Sequence, residues 1–136
     1  NIPFIKRNGG INNHGENSNS WRGFKEISGT YWKQLQHGAI DRNLAFNVTI
    51  EFGWDLFIKQ NRKCALSGRK IAFRNRVENY KSQNASLDRI DSKIGYEINN
   101  VQWVDKELNM VKRDLTNDNF IKLCHEVVEF QKNKFF

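Results

Sequence analysis

The chain has 136 residues, a net charge of +7 from 22 Lys and Arg against 15 Asp and Glu, and 38% hydrophobic residues, including ten Phe, four Trp and three Tyr. That is one domain's length with enough apolar mass for a modest core, and too apolar for an intrinsically disordered chain. No run of about 18 uncharged apolar residues exists, which excludes a transmembrane helix, and there is no basic start followed by an apolar run to serve as a secretory signal.

Residues 1–20 hold six Asn, three Gly and the only Pro, and read as an extended or mobile arm over 1–23. A helix follows from Ser28 or Thr30, with Tyr31, Leu35 and Ala39 at helical spacing up to about Arg42. Thr49 caps a second, whose stripe of Ile50, Trp54, Phe57 and Ile58 is read as core and ends near Gln60. Ser67-Gly68 marks a turn and Lys70 to Phe73 a short strand, before a polar, basic surface loop from Arg74 to Gln83. Ala85 to Ile90 and Val101 to Val104 read as strands, Glu107 to Arg113 as a short helix. Thr116 caps a last helix with Phe120, Cys124, Val127 and Gln131 on one face and Ile121 and Val128 on its flank, which makes Cys124 a small core residue. Helices around short strands, without alternating strand and long helix, give a small α+β domain.

The charge is local. Residues 61–87 carry seven basic groups and one acidic, against seven and five in residues 1–60 and eight and nine in residues 88–136. Such a block expects a polyanionic partner, and it lacks the amphipathic apolar face that membrane-surface binding needs. The two cysteines, Cys64 and Cys124, form no CxxC, so no zinc-ribbon or redox motif is present. Two glycosylation tripeptides, at Asn47 and Asn84, are read as chance matches in a chain expected to be cytoplasmic and DNA-associated. The start at Asn1 fits a fragment, a processed form or the ordered part of a longer protein. Phosphate-loop, dinucleotide-loop, HExxH and GxSxG patterns are absent, and the three His, at 14, 37 and 125, are scattered, so a metal site must rest largely on oxygen ligands.

The stretch Ser86-Leu87-Asp88-Arg89-Ile90-Asp91, Gly95-Tyr96, Asn99-Asn100-Val101-Gln102-Trp103-Val104 and Leu108-Asn109-Met110-Val111-Lys112 resembles the HNH endonuclease family, whose active site is a ββα-metal finger. Trp54-Asp55-Leu56-Phe57, Gln60-Asn61 and Cys64-Ala65-Leu66-Ser67-Gly68 extend the resemblance upstream, so that it covers roughly residues 24–130. It implies an HNH nuclease domain over 24–136 with its finger at about 84–114. Asp88 matches the strand carboxylate that binds the divalent cation, Asn109 the second protein ligand, and Asn100 the middle Asn that ties down the loop. Such a pair of oxygen ligands suits Mg²⁺ or Mn²⁺ in an open site completed by DNA.

The expected reaction is hydrolysis of a phosphodiester bond of double-stranded DNA, nicking or cutting both strands and leaving 5′-phosphate and 3′-hydroxyl ends. Arg89 stands where the family has its His base, and a guanidinium cannot accept a proton at neutral pH, so its expected role is to clamp phosphate. Asp91, His125 and Tyr96 are candidate bases, as is water activated without one. The alternative is an HNH-fold DNA-binding module impaired by the loss of that His. The family's zinc-binding CxxC positions fall on Cys64 and Ser67 and on Asp105 and Leu108, so no structural zinc is expected. Arg62, Lys63, Arg69, Lys70, Arg74, Arg76 and Lys81 form the basic block before the finger. Of these Arg69, Lys70, Arg74 and Arg76, with Lys112 and Arg113 past Asn109, are the expected DNA contacts. The domain is expected to act alone, as a homodimer or within a larger parent protein.

Overall fold

The computed structural model describes residues 22–74 and 83–135. Along them run β1 (Gly23–Phe24), β2 (Ile27–Ser28), α1 (Gly29–Asp41), α2 (Ile50–Lys59), β3 (Ala85–Arg89), β4 (Val101–Asp105), α3 (Lys106–Lys112) and α4 (Asn117–Phe135). The class is α+β: the strands form two small antiparallel sheets, β1–β2 and β3–β4. Of the expected arm over 1–23, residues 1–21 lie outside the described residues, and Gly23 opens β1.

Helix starts fall where capping side chains stand. Ser28 Oγ accepts from Tyr31 N, Thr49 Oγ1 from Phe52 N and Thr116 Oγ1 from Asn119 N, each at 3.1 Å, and an Asp105 carboxylate oxygen accepts from Glu107 N at 2.9 Å. The β1–β2 hairpin was not foreseen. Gly23 has φ 101°, and a Cβ there would fall 2.1 Å from the Ile27 carbonyl oxygen, so the first position of β1 admits only glycine.

The core gathers around three side chains with no exposed surface: Trp32 of α1, Phe57 of α2 and Trp103 of β4. Phe73 joins them, 4.6 Å from the Phe57 ring and edge-on to Trp103 at 4.9 Å. Trp103 Nε1 donates to the Gly53 carbonyl at 2.7 Å, bringing α2 against β4. A Cβ at Gly53 would meet the Trp32 ring at 3.0 Å, so glycine lets the two aromatics close on the helix. Gln60 completes that edge of β4, accepting from Trp103 N and donating to Trp103 O, both at 2.9 Å, as a neighbouring strand would.

Three sequence expectations are corrected. Lys70 to Phe73 is not a strand: one bridge pairs Lys63 with Lys70, and beyond it the backbone is shared between single main-chain bonds to Arg62, Asn84 and Ala85 and the side chain of Asn84. Asn84 donates to Lys70 O at 3.1 Å and accepts from Ala72 N at 2.7 Å, doing the work of a missing strand. Cys124 is exposed rather than core, because α4 leaves the body after Phe120. Ile58, read as part of the α2 core stripe, is 43% exposed, since Ile50, Gly53 and Phe57 alone fill the buried arc of that helix.

Candidate functional site

Strand side chains alternate between faces, and the β3–β4 register pairs Leu87 with Trp103, Asp88 with Gln102 and Ser86 with Val104. Ala85, Leu87, Val101 and Trp103 therefore face the aromatic core, while Ser86, Asp88, Gln102 and Val104 share the other face. On a helix, residues three apart are neighbours, so Asn109 and Lys112 project together from α3. They meet that second face at two points. Asn109 Nδ2 donates to Ser86 Oγ at 2.7 Å, and Lys112 Nζ donates to Asp88 Oδ2 at 2.7 Å and to the Arg89 carbonyl at 2.8 Å.

Lys112 has no exposed surface and Asp88 is 5% exposed, so this is a buried ion pair. Removing two charges from water is costly and is repaid only where the remaining polar atoms are also satisfied. Gln102 meets that need: its Nε2 donates to Asp88 Oδ2 at 2.9 Å and to Asn117 Oδ1 at 2.8 Å, and Asn117 Nδ2 returns a bond to Gln102 Oε1 at 3.0 Å. Asp88, Lys112, Gln102 and Asn117 thus join β3, β4, α3 and the first turn of α4 in one polar network.

The loop between the strands is closed by Asn100, 5% exposed. Its Oδ1 accepts from Asp91 N at 2.9 Å, and its Nδ2 faces the carbonyls of Asp91, Ile94 and Gly95 at 3.0, 3.3 and 2.9 Å. Arg89 points to the side opposite Asp88. Its guanidinium donates to the carbonyls of Ser92 and, at 3.1 Å, Ile94, and lies 5.5 Å over the Tyr96 ring. Tyr96 is buried, and its hydroxyl accepts from Arg42 at 3.1 Å. Asp91 accepts from Lys93 N at 3.0 Å. His125 stands on the exposed stretch of α4, away from the turn that carries Phe120 into the body.

The expected DNA contacts are divided. Lys70, Arg74 and Arg113 are exposed, Lys112 is turned wholly inward onto Asp88, and Arg76, like Lys81, lies outside the described residues. Arg69 is half-exposed and bound to Glu107 at 2.7 Å and to Asp105 at 3.5 Å; hydrogen bonding to Glu107 raises its pKa further. Arg62 forms a two-pronged pair with Glu26, both bonds 2.9 Å, and covers the rings of Trp54 and Phe57.

At the position of the first expected CxxC, Cys64 Sγ accepts from Leu66 N and Ser67 N, both at 3.4 Å. Burial pushes this thiol up, but hydrogen bonds from the Ser67 side chain and from backbone at Asp105, Ser67 and Leu66 outweigh it and set it below its ordinary value.

Sequence reasoning singled out Asp88, Asn109 and Asn100 but not their partners Ser86, Gln102 and Asn117. It also missed Tyr31, whose hydroxyl accepts from Leu87 N at 3.1 Å and ties α1 to β3. The signals were present in the two-residue alternation of β3 and the three-residue spacing of α3, which place each pair on one face. Among the described residues no three His, Cys, Asp or Glu gather as a metal cluster, and no helix is long and apolar enough to cross a membrane.

No protein-family model matches this sequence, and no curated protein matches it. In fold the chain is similar to the rare-cutting HNH restriction endonuclease PacI, with a TM-score of 0.54 and 18% identity over 86% of this chain and 89% of that one. The shared architecture is that of an HNH-like fold.

Proposed function

We propose that this protein is a divalent-metal-dependent DNA endonuclease whose active face is the polar side of the β3–β4 hairpin. The observation that carries the reading is the juxtaposition, under α3, of a buried carboxylate and an amide at the positions the resemblance assigns to cation ligands. The likeness to a DNA-cutting enzyme of the same fold supports it.

The donor set suits a hard cation: Asp88 offers a carboxylate and Asn109 an amide oxygen, its Nδ2 being given to Ser86. Two protein oxygens make a weak site that Mg²⁺ or Mn²⁺ would share with water and phosphate. When bound, the cation would supply Lewis-acid stabilisation of the charge developing on the phosphate and the departing 3′ oxygen.

The chain's own residues set the stage. Lys112 and Gln102 hold Asp88 Oδ2, which fixes the carboxylate plane. Asn100 fixes the loop, and Arg89, anchored by two loop carbonyls, contributes positive charge at its rim. Lys70, Arg74 and Arg113 are the exposed cations available to neutralise phosphates, giving salt-sensitive binding without sequence reading. Products with 5′-phosphate and 3′-hydroxyl ends belong to this reading.

One observation favours a second reading, a DNA-binding module without turnover. Lys112 already neutralises Asp88, so a cation must share that carboxylate with an ammonium group.

Nicking of supercoiled plasmid with Mg²⁺ or Mn²⁺, against EDTA, distinguishes the two. The nuclease reading expects cation-dependent nicking that falls at least a hundredfold in Asp88→Asn and Asn109→Ala. Salt-sensitive DNA binding without nicking would establish the binding module instead. Nicking that survives both substitutions would move the active site elsewhere.

A further inference from the structure

Among the described residues, Asp88 is the only carboxylate on the β3–β4 face that α3 covers. Its hydrogen bonds both fall on Oδ2, from Lys112 Nζ at 2.7 Å and Gln102 Nε2 at 2.9 Å. Oδ1 is thus the oxygen left for a cation. Lys112 Nζ gives a further bond to the Arg89 carbonyl at 2.8 Å, and the side chain has no exposed surface. An ammonium buried on two oxygens cannot swing out to water without breaking both bonds. Its charge is a fixed part of the site.

A fixed ammonium changes what the site offers. A carboxylate draws a divalent cation by its negative charge, and here a positive charge 2.7 Å away cancels it. Asn109 adds an amide dipole and no charge, its Nδ2 being given to Ser86. Arg89 points to the opposite side and adds no negative charge either. The face therefore presents two oxygens of the kind a hard cation takes, at a net charge of zero.

We infer that Lys112 is a tethered counter-ion that keeps divalent cations out of the free protein, so that the site fills only when a phosphodiester brings compensating negative charge. The inference rests on the cation site of the nuclease reading and goes beyond it, because cation and DNA binding become conditional on each other. Such coupling is reciprocal: DNA raises the affinity for the cation by the factor by which the cation raises the affinity for DNA. It also leaves the hairpin neutral, and so folded, before any cation arrives. A lysine that serves the fold alone predicts no such exclusion, and cation binding separates the two roles.

The probe is Mn²⁺ alone, followed by its electron paramagnetic resonance signal, with the full chain and no DNA. At Mn²⁺ concentrations that support plasmid nicking, the parent should hold none at Asp88. Lys112→Met should bind Mn²⁺ at least tenfold more tightly, since repulsion between a dication and an ammonium about 4–5 Å apart exceeds that factor near a protein surface. Adding Asp88→Leu to Lys112→Met should remove this binding. Lys112→Arg, which keeps the charge, should bind as weakly as the parent.

Unfolding supplies a second readout, because Lys112→Met leaves a buried carboxylate unneutralised. Millimolar Mn²⁺ should raise the unfolding temperature of Lys112→Met, or fold the chain where it is unfolded, and leave that of the parent unchanged. Equal Mn²⁺ affinity in the parent and Lys112→Met overturns the inference. So does a Lys112→Met chain that Mn²⁺ neither binds nor stabilises. Nicking by the parent then decides the wider reading. Nicking that needs Asp88 leaves the nuclease standing without this counter-ion role, and its absence removes both.

Discussion

Helices α2 and α3 both pack on the β3–β4 hairpin, and they do so with opposite chemistry. α2 turns Ile50, Gly53 and Phe57 inward and leaves Glu51, Asp55 and Lys59 in water. α3 does the reverse, burying Lys112 completely while Met110 and Val111 stay 70% and 62% exposed. The first contact is non-directional and graded, worth more as more area is removed from water. The second is directional, and each group in it depends on another. A helix that hides its charge and shows its apolar residues gains little stability by doing so, because apolar side chains of the same volume would hold the hairpin as well or better. The difference therefore separates the side of the hairpin that stabilises the fold from the side proposed above as the active face.

The largest expected effects come from breaking either contact at its centre. Lys112→Ala leaves Asp88 buried beside an emptied site and should cost about 3–5 kcal/mol in denaturant unfolding. Phe57→Ala should cost a similar amount, about 3–5 kcal/mol, through its cavity. Partial changes tell the two apart. Phe57→Leu should recover most of the loss, whereas Lys112→Gln should not, since it leaves the carboxylate unneutralised. The double variant Asp88→Leu with Lys112→Met should return to within about 1 kcal/mol of the parent, or exceed it, while losing any nicking activity. A double variant as unstable as Lys112→Ala would show that the ion pair itself holds the hairpin.

A smaller effect is expected where the polar side reaches the loop. Asn100→Ala strands the Gly95 carbonyl and the N–H of Asp91 and takes one of two donors from each of the Asp91 and Ile94 carbonyls, and should cost about 2–3 kcal/mol. Hydrogen exchange should show the loss first in residues 91–99, with the amides of α2 unaffected.

Most elements were legible because their causes are local. Ser28, Thr49 and Thr116 announce helix starts, and the alternation around Leu87 and Trp103 announces the hairpin. The β1–β2 hairpin was not, because strands of two residues carry no period. The strand expected at Lys70 to Phe73 failed because its partners are the Asn84 side chain and scattered main-chain groups of Arg62, Asn84 and Ala85 rather than a neighbouring strand, which nothing in the pattern of the stretch itself reveals. Cys124 was misplaced for a different reason: amphipathicity tells that a helix has a face, not what covers it. At the site, the resemblance to the HNH family singled out Asp88, Asn100 and Asn109. The burial of Lys112 depends on the strand register and the phase of α3 together, and neither follows from one segment alone.

The smallest effect links the two sides of the hairpin through Tyr31. Its ring lies 6.3 Å from Trp103 on the core side, and its hydroxyl accepts from Leu87 N. Burial outweighs that hydrogen bond and pushes the phenol up to about 12. In the unfolded chain the group titrates near its ordinary value of about 10. Because the folded pKa is the higher one, the contribution of Tyr31 is fully present below pH of about 10 and is lost as pH rises through about 12, where the folded phenol ionises as well. The informative quantity is the difference between parent and variant over that window. Tyr31→Phe should cost about 1 kcal/mol at neutral pH for the lost acceptor, and should flatten the fall in stability between pH of about 10 and 12 relative to the parent. Parallel curves for the two proteins over that window would mean that the hydroxyl is not buried against β3, and that α1 is held by its ring alone.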